Sequence, residues 1–225
     1  MSFLQKVLAI LAKDIQLEFR TKEMLSAMLI FALLVVVIFS FAFDVTSAGL
    51  REVFPGMLWV AFFFAGVLGL NRSFASEQQN AAIQGLMLAP MDRSAIYFAK
   101  VIGNFIFMMI TEAVALPVFL VLFDYRFSGS FPVLVLVLVM STFGFIAVGT
   151  FLSALAANTR TSEILLPIIL FPVLVPVVIA AVQTTRGVFS ADPLSTYALW
   201  FKVLAAYDFI FLVVPFLLFD YVLEG

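Results

Sequence analysis

No cysteine and no histidine occurs among the 225 residues. Their absence excludes disulfides, thiol chemistry, a Cys/His metal site and His-ligated haem within this chain. Haem held here would have to use Met or Tyr. The nine Met residues are scattered, and filling packing gaps is their simpler role. Charge is scarce as well: Asp, Glu, Lys and Arg make up 12% of the chain, with a net charge of −2. No basic patch is available for salt-sensitive phosphate contacts, so nucleic acid is not an expected partner. No G-x-x-x-x-G-K-[ST] motif occurs, so any ATP chemistry belongs to another subunit and the chain is not expected to be an enzyme by itself.

What fills the chain instead is apolar. Hydrophobic residues make up 64%, against about half in soluble domains, and mean hydropathy is +1.19. The 28 Phe residues fit lipid-facing helices without any ligand site. The expected class is an all-α integral membrane protein forming one domain over residues 1–225.

Six apolar runs are long enough to span a bilayer, which needs ~20 residues of helix. They lie near Leu25–Phe43, Phe54–Leu70, Ala99–Phe123, Phe131–Ala157, Ile164–Val182 and Val203–Val222. No internal repeat or linker divides them. With the N-terminus inside, inner segments hold Lys6, Lys13, Arg20, Lys22, Arg72, Arg93, Lys100 and Arg160. Outer ones hold Arg51, Arg126, Arg186 and Lys202, an 8 to 4 split that favours both termini in the cytoplasm.

Residues 1–23 are not expected to be a signal peptide, because charges crowd the start of an apolar run too long for an h-region. Their periodicity predicts an interfacial helix leading into the first span. Gln5, Lys6, Lys13, Gln16 and Arg20 share one face; Phe3, Leu4, Val7, Leu8, Leu11, Ile15 and Phe19 fill the other. Asp14 and Glu18 intrude into the apolar arc. Either they sit at its edge and snorkel, or they make a polar contact to another helix or subunit.

Between spans two and three runs "SFASEQQNAAIQGLMLAPMDRSAIYFAK", Ser73–Lys100. Wound as a helix over residues 76–89, it puts Ala82, Ile83, Leu86 and Met87 on one side. Glu77, Asn80, Ala81, Gln84 and Gly85 fall on the other. Ser73 or Ser76 is a candidate N-cap, and Pro90 marks the end. A segment this short and polar lies along the membrane surface. Its polar side is either simply solvated or a docking surface. The lack of Lys on that side is unlike a helix resting on anionic lipid.

At these residues the chain resembles a family. It looks like the permease of an ABC exporter of the ABC-2 class: an elbow helix, six spans and a cytoplasmic coupling helix. More narrowly it is similar to the haem exporter protein B family (CcmB), the permease-like subunit of cytochrome c maturation. The resemblance spans essentially the whole chain. It rests on "AKDIQLEFRTKEML" (Ala12–Leu25), on "FASEQQNAAIQGLMLAPMDRSAIYFAK" (Phe74–Lys100), and on the six-span layout closing in "FDYVLEG". In the second motif the matching positions are Phe74, Glu77, Asn80, Ala81, Leu86, Leu88, Pro90 and Lys100. Asn80 stands where an acid is expected in many relatives, and Ala81 and Ala82 where a glycine-containing pair is.

The resemblance implies a bacterial inner-membrane complex. A separate ATP-binding cassette subunit would dock on Phe74, Glu77, Asn80, Ala81, Gln84, Asp92 and Arg93, with Asp14, Glu18 and Arg20 on the elbow helix; the Asn158–Glu163 turn, through Arg160 and Glu163, is a second cytoplasmic contact candidate read from the sequence itself. A second copy of the chain, a haem-handling membrane subunit, a small single-span subunit and a haem chaperone would complete it. ATP and haem would be handled by those partners, with no cofactor expected on this chain. Hydrolysis would drive release of the haem-loaded chaperone. Competing readings are an ABC-2 permease exporting a lipid, drug or polysaccharide, an ion-coupled secondary transporter, and a passive assembly scaffold.

Several residues stand apart from the motifs. Glu112 lies inside the third run. It is a site candidate by cost alone, lining a cavity or subunit interface, or else a structural group bonded to a neighbouring hydroxyl or protonated. Gly149, Ser153 and Ala157 form a small-residue stripe suited to close helix packing. Pro167, Pro172 and Pro176 make the fifth run either a hinge or an irregular packed helix. Gln183–Lys202, too short for a domain, is expected outside the membrane, with room for short re-entrant or interfacial helices and with Tyr197 and Trp200 as interface anchors. Asp208 is expected near the outer end of the last span, reaching water or Lys202.

Overall fold

The structure is a computed structural model that describes residues 2–43, 49–79, 93–125, 127–157 and 162–222; side chains are described except at 51, 74–79, 93, 156–157, 162–167 and 216–222. The described residues form helices only. These are α1 (Phe3–Thr21), α2 (Glu23–Ala42), α3 (Leu50–Gln79), α4 (Arg93–Leu122), α5 (Phe131–Ala157), α6 (Ser162–Phe189) and α7 (Leu194–Val222). All but α1 are long and apolar enough to cross a membrane. The chain is thus an all-α multi-pass membrane protein.

α1 is amphipathic and begins with a capping box. The Ser2 hydroxyl accepts from the Gln5 amide and the Gln5 side chain accepts from the Ser2 amide, satisfying two donors that a helix start leaves open. It stops at Lys22, whose left-handed backbone (φ 57°) turns the chain so that α2 starts at the next residue.

α5 is the central helix, packed against α3, α4, α6 and α7. In hydrocarbon, helices gain little from hydrophobicity and associate through close packing. The small-residue stripe serves this purpose: a Cβ at Gly149 would lie 2.2 Å from Leu70 of α3, and Ser153 is also buried.

One tyrosine repairs a proline break. Pro215 lacks the amide that would bond to the Phe211 carbonyl, and the Tyr97 hydroxyl reaches that oxygen at 3.4 Å and the Ala147 carbonyl at 3.1 Å. The Tyr207 hydroxyl donates to the Val173 carbonyl at 3.0 Å, a second bond from a tyrosine to a helix backbone, tying α7 to α6 within the Pro172–Pro176 segment.

Four expectations change. The Phe residues are not all lipid-facing. Phe54, Phe62, Phe119, Phe123 and Phe145 are fully buried, and Phe54 alone meets Phe119, Phe123, Tyr125 and Phe189. This aromatic knot ties α3, α4 and α6 at the end of the bundle remote from α1. The expected external stretch holds no separate short helices but belongs to the two long ones, because α6 runs on to Phe189 and α7 starts at Leu194. Tyr197 is buried in that corner, a Cβ at Gly187 falling 2.4 Å from its ring, so it packs α6 to α7 rather than anchoring an interface.

The third change concerns the connection after span two. α3 continues unbroken through Gln79, so no helix starts with a cap at Ser73 or Ser76. The rest of the expected coupling helix lies outside the described residues. Fourth, Asp208 sits midway along the 29-residue α7, not near its end. Its Oδ1 is buried without a partner, and a Cβ at Gly144 of α5 would lie 2.4 Å from that atom.

Candidate functional site

The two sequence motifs meet in space. α1 docks on the first turns of α4, where Val7 and Ile10 pack on Ala95 and Ala99, and Phe3 meets the edge of Phe98 with ring centres 6.1 Å apart. At the centre of this contact the Lys100 ammonium lies 2.8 Å from the Asp14 carboxylate. Their side chains are 5% and 13% exposed, so the pair is largely withdrawn from water, and Lys13 flanks it at 3.1 Å from Asp14. Such a pair does little for net stability but is strongly directional, because breaking it strands a charge. α4 is the helix that leaves the Phe74–Lys100 motif, so this joint fixes the end of that motif to the elbow.

Glu18 serves the same corner differently. It is buried, and its Oε1 accepts the Leu25 amide at 2.7 Å. Leu25 lies in the first turn of α2, where amides have no helical partner and a carboxylate also complements the helix dipole. The Asp14 and Glu18 question is therefore answered by geometry: both make polar contacts to other helices. The broad apolar arc of the α1 wheel is really a bundle side and lipid-facing flanks. Val7, Ile10, Asp14 and Glu18 take the bundle side; Leu4, Leu8 and Phe19 remain exposed beside it. Replacing Glu18 with Ala is expected to cost about 1 kcal/mol as a lost cap, read as a lower unfolding temperature with faster hydrogen exchange at Leu25.

Of the other expected contact residues, Arg20 is exposed on α1. The backbone of Phe74 and Glu77 lies in the last turns of α3, and Arg93 opens α4. Asn80, Ala81, Gln84, Asp92 and Arg160 lie outside the described residues.

Polar side-chain bonds tie the bundle interior at more than one depth. Glu112 of α4 is fully buried and accepts from the Thr142 hydroxyl of α5 at 2.5 Å, while its second oxygen has no partner. A bond from a hydroxyl of a neighbouring helix, one of the sequence alternatives, is thus present. Burial within a single bundle keeps Glu112 off any subunit interface. Thr111 turns instead to its own Phe107 carbonyl. Asn104 donates to Thr150 at 3.2 Å, again from α4 to α5, and the Trp59 indole donates to Thr185 at 2.8 Å. Sequence reasoning missed Lys100 as the ion-pair partner of Asp14. Its place at the end of the recognised motif was the available signal. Among the described residues no group of acidic side chains is arranged to hold a metal ion.

Comparison with known proteins follows the same span. The chain is 26% identical over 197 residues to heme exporter protein B of Pseudomonas aeruginosa, covering 88% of each chain. It is 27% identical over 188 residues to that of Paracoccus denitrificans, covering 83% of this chain and 86% of the relative. It is 25% identical over 209 residues to that of Bradyrhizobium diazoefficiens, covering 92% and 93%. The family profile described as CcmB protein matches residues 5–220, which takes in the elbow, the Asp14–Lys100 joint and all six spans: the chain belongs to the CcmB family.

Proposed function

We propose that the chain is the membrane permease subunit of an ABC-type complex in cytochrome c biogenesis, working in haem export as the names of its relatives indicate. A separate ATPase subunit docks on the segment between α3 and α4. The chain passes the resulting movement into the bundle, and hydrolysis drives release of a haem-loaded chaperone. In this reading it sits in the bacterial inner membrane with both termini in the cytoplasm.

The observation that carries the proposal is the buried Asp14–Lys100 pair. It makes α1 and the start of α4 one rigid unit, so a push on the connection before Arg93 reaches the elbow as well as the span. Tyr97, one turn before Lys100, extends the linkage to α5 and to the Pro215 break of α7. The absence of His and Cys from the sequence favours force transmission over haem ligation within this chain.

The docking part is tested by Glu77→Lys combined with Gln84→Arg. The first change puts a cation in the last turns of α3 and the second puts one in the connection that follows. The ATPase subunit is expected to be lost from the purified complex while membrane insertion is retained. Unaltered co-purification refutes the docking.

A further inference from the structure

Asp208 poses a problem that the single chain does not solve. It lies midway along the 29-residue α7, about 21 Å from either end counted at the helical rise, and so near the middle of a bilayer core about 30 Å thick. One carboxyl oxygen is buried without a partner against Gly144, yet the residue as a whole is only half-buried. α7 is also the least covered span: 17% of its membrane window is buried, against 72% for α3. Ala205 and Leu212, on the same side of α7 as the open side of Asp208, are exposed, as is neighbouring Phe209. A carboxyl group left facing hydrocarbon is costly whether or not it is ionised.

A second copy of the chain has little to offer it. Among the described residues, the exposed positions at mid-membrane carry apolar side chains. Ser26 and Ser40 lie near the ends of α2 and donate to the carbonyls of Lys22 and Val37. Gln183 and Lys202 lie about 12 and 9 Å nearer the α6–α7 turn than Asp208, again counted at the helical rise.

We propose that the α7 face around Asp208 docks a membrane-spanning helix of a different polypeptide. That helix carries a hydroxyl, amide or basic group at mid-bilayer that bonds to the Asp208 carboxyl. Gly144 leaves room for the carboxyl to stand between α5 and α7 with its other edge presented outward. Ala205 lets the incoming helix approach closely. This deepens the complex proposed above by naming where a second membrane subunit sits, without depending on where the ATPase subunit docks.

The test uses the whole complex purified in mild detergent, with a photo-crosslinking residue at Leu212 and, on the opposite side of α7, at Ile210. Leu212 is expected to crosslink to a membrane protein other than this chain, and Ile210 is not. Asp208→Leu is expected to weaken that association about tenfold, and Asp208→Asn, which keeps hydrogen bonding, much less. Retention of the ATPase subunit, measured in the same samples, is expected to be unchanged and reports separately on the docking reading. The proposal is overturned by crosslinks from Leu212 only to lipid or to a second copy, or by equal association in Asp208→Leu and wild type. Should Asp208→Leu fail to accumulate in the membrane, the crosslinks made with Asp208 intact still decide.

Discussion

Lys100→Met is expected to loosen the elbow helix by about 3 kcal/mol. Removing one partner of a buried ion pair costs about 3–5 kcal/mol, because the remaining charge stays withdrawn from water. The lower end applies here, since Lys13 still faces Asp14 at 3.1 Å. Hydrogen exchange along Phe3–Thr21 reads the effect directly: amide protection of α1 should fall while that of α5 stays high. The double variant Asp14→Leu with Lys100→Met should recover most of the protection, because an apolar pair of similar size is neutral or better than a buried ion pair. If the single and double variants lose the same protection, packing of Val7 and Ile10 on Ala95 and Ala99 holds the elbow, and the ion pair does not.

The second large effect is expected at the opposite end. Gly129 precedes α5, and a Cβ there would fall 1.9 Å from the Val188 carbonyl oxygen of α6. That neighbour is backbone at the edge of the aromatic knot and has no rotamer by which to withdraw. Gly129→Ala should therefore destabilise the chain by about 3 kcal/mol, the upper range of ordinary overpacking. A thermal unfolding scan in detergent measures it. Unchanged unfolding would mean that the α4–α5 connection shifts freely and that the knot does not fix it.

Much of the architecture was legible because hydrocarbon imposes a blunt rule: a spanning helix must satisfy its own backbone and be apolar for its whole length. Six runs met that rule, and six spans are present. Their ends were harder to read. Gln183, Thr184 and Thr185 look like a polar exit from the membrane, yet both threonines are buried, one bonding to its own helix and the other to Trp59. Polarity that is satisfied inside the bundle cannot be told from polarity that meets water by composition alone.

The elbow was legible as an amphipathic helix but not as a joint. A wheel separates polar from apolar; it does not separate a bundle side from a lipid side. Asp14 and Glu18 therefore looked misplaced until α4 and the first turn of α2 were set against them. Asp208 was misread for a related reason. Its depth depends on where α7 begins, and that helix starts at Leu194, nine residues before the apolar run near Val203 that marked the span.

In the function proposed above, ATP-driven movement passes through the elbow joint to release the haem-loaded chaperone. The most direct measurement is chaperone release from the reconstituted complex, with its ATPase subunit competent or disabled for hydrolysis, in wild type and in Lys100→Met. Release under ATP is expected in wild type alone, with loss in the disabled complex and in Lys100→Met although both complexes assemble. Release that continues unchanged when hydrolysis is abolished would contradict it and leave the chain a passive scaffold.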